Sequence, residues 1–493
     1  MSTKYFFIDH HGCAKNQVDA EIIIGIMKKN GWENTPFPEK ADLIIVNSCG
    51  FINPAKEESL NAVINAKNAY PKTKILLAGC LAERYADILK TELVEADAIF
   101  GNGDLSKLPE IIKKLYEESE KPVLTPPQIG ICGGKRPKIL NFPRSVYIKI
   151  TEGCDNFCSF CAIPIIRGRL RSRSIEDIIK EIKEFIQKGF YEFNLIGQDL
   201  AAFQINNPNA NQRDIELSAQ IKMEQAKSLN TKEETGLAKL LKSISEIKGK
   251  FKIRLLYIHP DHFSEDILPI MTHDTRFLPY FDIPFQSGSE KIIKSMNRKG
   301  YPELYLNLIE NIRSAFKEAE SPYGEPAIRT TFMTGFPGET DEDFAQTEIF
   351  LQKLKPLWSG GFIYSKEEDT AAYSFKNKVS KKTAEKRLSI LQKTQTEITC
   401  NALDKFCGHV LDVLIEEIII SHEENNTDGN GSVNKMHLAL GRAWFQAPEI
   451  DGAVIVSFSE EKTDSCGKTI KPGSIVRVKI TSRNGFDLNA FVQ

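Results

Sequence analysis

The chain has 493 residues, 41% of them hydrophobic, enough for roughly three domains of ~150 residues with packed cores. A formal net charge of −2 gives the molecule as a whole no electrostatic case for nucleic acid. No apolar run reaches the ~18 residues of a membrane span, and Tyr5-Phe6-Phe7-Ile8 is too short for a secretory leader, so a cytoplasmic protein is expected, in which ten cysteines point to metal or catalysis over disulfides.

Residues 1–118 alternate apolar runs with amphipathic stretches. The runs are Tyr5-Phe6-Phe7-Ile8, Leu43-Ile44-Ile45-Val46 and Lys74-Ile75-Leu76-Leu77-Ala78. Short buried strands, each followed by a helical pattern, predict an α/β domain with a parallel sheet. Cys13, Cys49 and Cys80 each lie just past one of these strands, with a glycine beside each. Strand ends of a parallel sheet open on one edge, so topology alone draws the three thiols to one crevice. The plainer alternative is three separate buried thiols. Residues 119–142, with four prolines and three glycines, read as a linker.

The βα rhythm resumes over 143–395. Strands are predicted near Val146–Ile150, Phe193–Ile196, Ile253–Tyr257, Tyr280–Ile283, Ile328–Met333 and Gly361–Tyr364, with helices between them. Six units are too few for a closed eight-fold barrel and predict a partial one. The polar segment 204–233 interrupts the pattern as a surface insertion.

Directly after the first barrel strand come Cys154, Cys158 and Cys161, spaced C-x3-C-x2-C. A cubane iron–sulfur cluster is usually held by four thiolates, so three leave one iron open. A zinc site would want a fourth ligand nearby, and no histidine lies between Cys132 and His259. Gly197-Gln198-Asp199 follows the second strand, as a ligand segment or a capping turn. Asp282 to Ser289 follows the fourth strand and Gly335 to Thr340 the fifth. Arg167, Arg169, Arg171 and Arg173 alternate beyond the cysteine loop. They read as a solvated basic edge, or as a source of one or two guanidiniums, Arg167 and Arg173, that clamp a carboxylate.

A long amphipathic helix is predicted over 381–404. The period then shifts to 2, so that 396–493 reads as a domain with a small all-β module. From Cys407 onward there are 8 Lys and Arg against 12 Asp and Glu, an acidic balance that suits a basic partner better than phosphates. Cys132, Cys400, Cys407 and Cys466 form no pattern and read as bystanders.

The compact triplet, with Phe160 just before its last cysteine, resembles the radical S-adenosylmethionine (SAM) superfamily. The order of parts resembles its methylthiotransferase family: an N-terminal cluster domain, a radical barrel and a C-terminal TRAM domain. Gly12 to Glu21, Cys161 to Gly168, Leu195 to Asp199, Tyr364 to Ala372 and Ala447 to Gly452 are similar to the branch that modifies an aspartate of ribosomal protein uS12. Gln286-Ser287-Gly288-Ser289 leans toward the branch that modifies an adenosine in tRNA, and the insertion at 204–233 and the stretch 422–434 depart from both. The resemblance implies two 4Fe-4S clusters, one on Cys154, Cys158 and Cys161 and one on Cys13, Cys49 and Cys80. It implies SAM as radical source and methyl donor, held near Phe160, Gly197, Gln198 and Asp199. The implied partners are uS12, met through the acidic TRAM domain, and a reductant such as flavodoxin or ferredoxin. The alternatives are a tRNA methylthiotransferase and, in a different class, a non-catalytic iron–sulfur protein.

Overall fold

The computed structural model describes residues 3–129, 131, 134–204, 234–422 and 436–493. Nearly all of the polar insertion at 204–233, most of the stretch 422–434, and Cys132 lie outside the described residues.

The N-terminal apolar runs form a six-stranded parallel sheet. Its strands are β1 (Lys4–His10), β2 (Trp32–Asn34), β3 (Leu43–Ser48), β4 (Lys74–Gly79), β5 (Ala98–Phe100) and β6 (Val123–Leu124), in the order β2-β1-β3-β4-β5-β6. β3 is buried at every residue, so it reads as an unbroken Leu-Ile-Ile-Val run with no alternation. β6 belongs to this sheet and pairs with β5. The N-terminal layer therefore continues past residue 118, and the first part of the expected linker is an edge strand.

The second sheet begins with β7 (Ser145–Lys149). A short antiparallel pair, β8 (Thr151–Glu152) and β9 (Arg171–Ser172), brackets the compact cysteine loop. Then come β10 (Glu192–Ile196), β11 (Lys252–Leu255), β12 (Phe277–Asp282), β13 (Ala327–Thr334) and β14 (Trp358–Ile363). The order β14-β13-β12-β11-β10-β7, parallel throughout, is the predicted partial barrel of six strands. Alternate residues serve its two faces, as strand geometry requires. Val146, Ile148, Phe193, Leu195, Ile253 and Phe281 pack under the surrounding helices. Tyr147, Ile196, Leu256 and Tyr280 point the other way, into a core shared with the first helix (Ala14–Lys29) and the C-terminal module.

The predicted helix Lys381–Asp404 has those bounds, so the boundary drawn at 396 falls within it. The all-β module starts afterwards, as a closed barrel of β15 (Val410–His422), β16 (Met436–Arg442), β17 (Val454–Ser459), β18 (Ile475–Asn484) and β19 (Asp487–Val492), in the order β15-β16-β17-β19-β18. Buried polar contacts fasten it to the partial barrel. Arg442 donates to both carboxylate oxygens of Glu192, at 3.0 and 2.6 Å. Arg254 donates to Glu192 at 2.9 Å and to the carbonyl of Trp444 at 2.7 Å, and the Tyr280 hydroxyl donates to Asp451 at 2.6 Å. Among the described residues no helix is long and apolar enough to cross a membrane.

Candidate functional site

Cys13 caps the first helix just beyond β1, Cys49 follows β3, and Cys80 opens the helix Cys80–Glu92 after β4. Because β1, β3 and β4 are adjacent, the three thiols share one sheet edge. Two glycines permit the approach. Gly12 has φ +100°, and a Cβ on it would stand 3.0 Å from Cys49 Cβ. Gly79 has φ +95°, and a Cβ there would meet the Ser48 carbonyl at 2.7 Å. Only a residue without a side chain accepts both constraints. Burial pushes the Cys80 thiol up to about 12 and also raises Cys49. Burial would raise Cys13 too, but Lys15 and Arg167, helped by the backbone N–H groups of Asn16 and Lys15, outweigh it and lower that thiol. Asn102 and Arg167 donate to Cys80 Sγ at 3.3 and 3.2 Å.

The compact triplet lies between β8 and the short helix Ile163–Arg167. Burial, with the charge of Asp199 adding to it, pushes Cys154 up to about 12. Donors aim at the sulfurs. Asn156 Nδ2 donates to Cys154 Sγ at 3.4 Å, and His259 Nε2 stands 3.7 Å from Cys158 Sγ. His259 Nδ1 accepts from the Asp261 N–H at 3.3 Å, which puts the ring proton on Nε2, facing the sulfur. Burial, followed by the charge of Arg298, lowers this imidazole to about 3 and keeps it neutral. His259 is thus a hydrogen-bond donor to a sulfur, the kind of contact that tunes a cluster.

Asp199 is the hub of this end. It accepts from His262 Nδ1 at 2.6 Å, from Asn156 at 2.8 Å and from the Ala201 backbone at 3.1 Å. Burial would raise its carboxyl, but the hydrogen bond and charge of His262 win and hold it at about 2. Close by, a Cβ on Gly197 would fall 1.9 Å from Thr151 Oγ1. Thr151 Oγ1 and Gln198 Oε1 are buried without a hydrogen-bond partner among the described residues, as acceptors kept for a bound group would be. Phe160 packs against an apolar cluster of Ile292, Met296, Met333 and Phe336. Three residues at this mouth, Phe157, Tyr257 and Gln286, hold positive φ of 48°, 65° and 70°, a cost that non-glycine residues bear chiefly at functional sites.

Neither triplet gathers its three sulfurs within 4.8 Å of one another. His259 and His262, which do lie within that distance of Asp199, are engaged with it and with Cys158.

The arginines correct the sequence reading. Arg167 is buried at 4% exposure. It pairs with Glu152 at 2.7 Å and Asp19 at 2.9 Å besides reaching Cys80. Lys149 bridges the same two carboxylates, at 2.5 Å each, and Gln198 donates to Glu152 at 3.0 Å. Burial would raise Glu152, yet Arg167 and Lys149 hold it well below the usual carboxylate range. Arg173 is tied to Asp177 and Glu181, at 2.6 Å each. Arg171 is buried and donates to the carbonyls of Arg167 and Arg169. Arg169 alone keeps the solvated character expected, 41% exposed and 3.4 Å from Asp155, while the candidate clamps Arg167 and Arg173 are both engaged inside the protein.

Sequence reasoning missed Asn156, His259, His262, Asp19, Glu152 and Lys149. Their partners are mostly remote in the chain, and only the Asp199 neighbourhood carried any signal. Of the unpatterned cysteines, Cys400 and Cys407 are half-buried and Cys466 is exposed.

Residues 5–101 match an uncharacterized protein family, UPF0004, residues 148–351 the radical SAM superfamily, and residues 407–492 the TRAM domain. The chain is 63% identical to the ribosomal protein uS12 methylthiotransferase RimO of Treponema denticola, over 98% of this chain and 99% of that one. It is 36% identical to the protein of the same name from Dictyoglomus thermophilum, over 98% of each. Among solved structures, the radical SAM methyltransferase TsrM of Kitasatospora setae, with cobalamin and a [4Fe-4S] cluster bound, shares the fold with a TM-score of 0.50. It is 11% identical, over 74% of this chain and 72% of that one.

Proposed function

Since the chain belongs to the ribosomal protein uS12 methylthiotransferase family of radical SAM enzymes, we propose that it replaces a hydrogen on Cβ of a uS12 aspartate with a methylthio group. Cys154, Cys158 and Cys161 would hold the 4Fe-4S cluster that binds SAM, and Cys13, Cys49 and Cys80 would hold a second. When bound, these groups supply the oxidant that removes a hydrogen atom from an unactivated C–H bond, and the sulfur that replaces it.

The chain's own residues bind, orient and exclude. Asn156 and His259 donate to the thiolates of Cys154 and Cys158. Asp199, fixed and charged, holds Asn156 and His262 in place, and the unpartnered acceptors beside it, Thr151 Oγ1 and Gln198 Oε1, would face the amino group of SAM. Gly197 lets the segment pack against Thr151, and Phe160 braces the loop from its apolar cluster. The observation that carries the reading is a continuous polar path between the two centres. Cys80 Sγ accepts from Arg167 at 3.2 Å, Arg167 pairs with Glu152 at 2.7 Å, and Glu152 accepts from Gln198 at 3.0 Å. A ligand of one cluster and the cofactor segment of the other are thereby registered against each other, as transfer between two centres on one substrate demands. The acidic TRAM domain meets basic uS12, and a flavodoxin or ferredoxin delivers the electron.

Reconstituted protein, reductant and SAM should add the mass of one methylthio group to uS12 and leave tRNA unchanged, by mass spectrometry of both from one reaction. Modification of tRNA alone would refute the substrate assignment.

A further inference from the structure

Two lysines are buried in the space between the N-terminal sheet edge and the barrel mouth, and they differ in one respect. Lys149, 3% exposed, is held by two carboxylates. Lys15, 8% exposed, is hydrogen-bonded to none; burial lowers its ammonium, against the more distant charges of Cys13, Asp282 and Glu152. Its Nζ lies 3.2 Å from the centroid of the Tyr257 ring, and among the described residues no carboxylate or carbonyl accepts from it. An ammonium taken out of water without a hydrogen-bonded anion is costly, and buried charges are ordinarily paired at contact. A ring face offsets only part of that cost.

The position of Lys15 points to the acceptor that would complete its contacts. It sits two residues past Cys13, on the first turn of the helix Ala14–Lys29. Its ring partner Tyr257 follows β11 at the barrel mouth, in a positive-φ conformation fixed by two backbone bonds. The Tyr257 N–H donates to Asp282 at 3.1 Å, and its carbonyl accepts from Leu200 N–H at 2.9 Å. Leu200 directly follows Gly197-Gln198-Asp199. Lys15 therefore stands where the sulfur-bearing edge meets the cofactor segment. Arg167 and Arg173, the cations first expected to clamp a carboxylate, are already paired. We infer that Lys15 is the residue that receives the side-chain carboxylate of the substrate aspartate, setting the adjacent Cβ between the two centres. The inference rests on the function proposed above and deepens it. It also supplies a reason for substrate choice, since neither an asparagine nor an adenosine carries a carboxylate to answer this charge.

The test uses the full chain with both clusters reconstituted, as wild type, Lys15→Met and Lys15→Arg. The probes are two peptides of the uS12 target loop, one with the native aspartate and one with asparagine in its place. Binding is read by fluorescence anisotropy and iron by chemical analysis. Wild type should prefer the aspartate peptide. Lys15→Met should keep its iron, bind the aspartate peptide roughly 10- to 100-fold more weakly, the effect of losing a hydrogen bond to a charged group, and bind the asparagine peptide as before. Lys15→Arg should keep the preference. A Lys15→Met protein that still prefers aspartate overturns the inference, and so does one that loses the iron held by Cys13, which would make Lys15 a support of that cluster. If wild type neither binds nor modifies the aspartate peptide, the functional reading itself fails, and the inference falls with it.

Discussion

Cys154→Ala protein, reconstituted with iron and sulfide, is expected to hold about four irons per chain where wild type holds about eight, and to yield no 5′-deoxyadenosine from SAM. Cys13→Ala should show the complementary loss: about four irons, SAM cleavage retained, and no methylthio product. The expectation follows from placement. The compact triplet sits on one loop beyond β7 and β8, whereas Cys13, Cys49 and Cys80 are set by three adjacent strands of a different sheet. Each triplet has its own donors, Asn156 and His259 for one and Asn102 and Arg167 for the other. Iron analysis with EPR of the reduced proteins separates the two. A single substitution that empties both sites would mean that the six cysteines serve one centre.

Glu192→Ala should cause the largest loss of stability of any single substitution away from the cysteines. Glu192 is the common acceptor for Arg254 and Arg442, with the carboxylate 6% and the Arg254 side chain 0% exposed. Burial works against its charge, but the two guanidiniums hold it well below the usual carboxylate range. Removing it leaves two buried cations, one of which keeps Glu416 and the other no carboxylate, just the Trp444 carbonyl and the face of the Tyr280 ring. Breaking a buried ion pair from one side costs about 3–5 kcal/mol. Because these contacts fasten the TRAM barrel to the radical barrel, a thermal melt should show the joint failing early, with the TRAM module becoming susceptible to proteolysis. An unchanged melt would show that the shared apolar core alone holds the domains together.

The sequence revealed those elements whose signal is local. Unbroken apolar runs located β1, β3 and β4, and with them the three scattered cysteines, because a parallel sheet puts all such strand ends on one side. The long amphipathic helix was legible from its own periodicity. Strands β5 and β6, with three and two residues, are too short to carry a period. The arginine row misled because its partners are distant. Arg167 meets Asp19 across 148 positions, and nothing local separates a buried guanidinium from a solvated one. Lys15 was passed over as part of a signature, since a sequence does not show that one lysine is buried with carboxylates and another without. His259 was noted only as absent from the cysteine loop, yet the fold brings it to Cys158 from the end of β11.

The most direct test of radical transfer at Cβ uses uS12 with deuterium on Cβ of the target aspartate. Under reducing conditions with SAM, deuterium should appear in 5′-deoxyadenosine in step with formation of the methylthio product. A methylthiolated product accompanied by unlabelled 5′-deoxyadenosine would contradict hydrogen abstraction from that carbon and, with it, the placement of one substrate between two clusters.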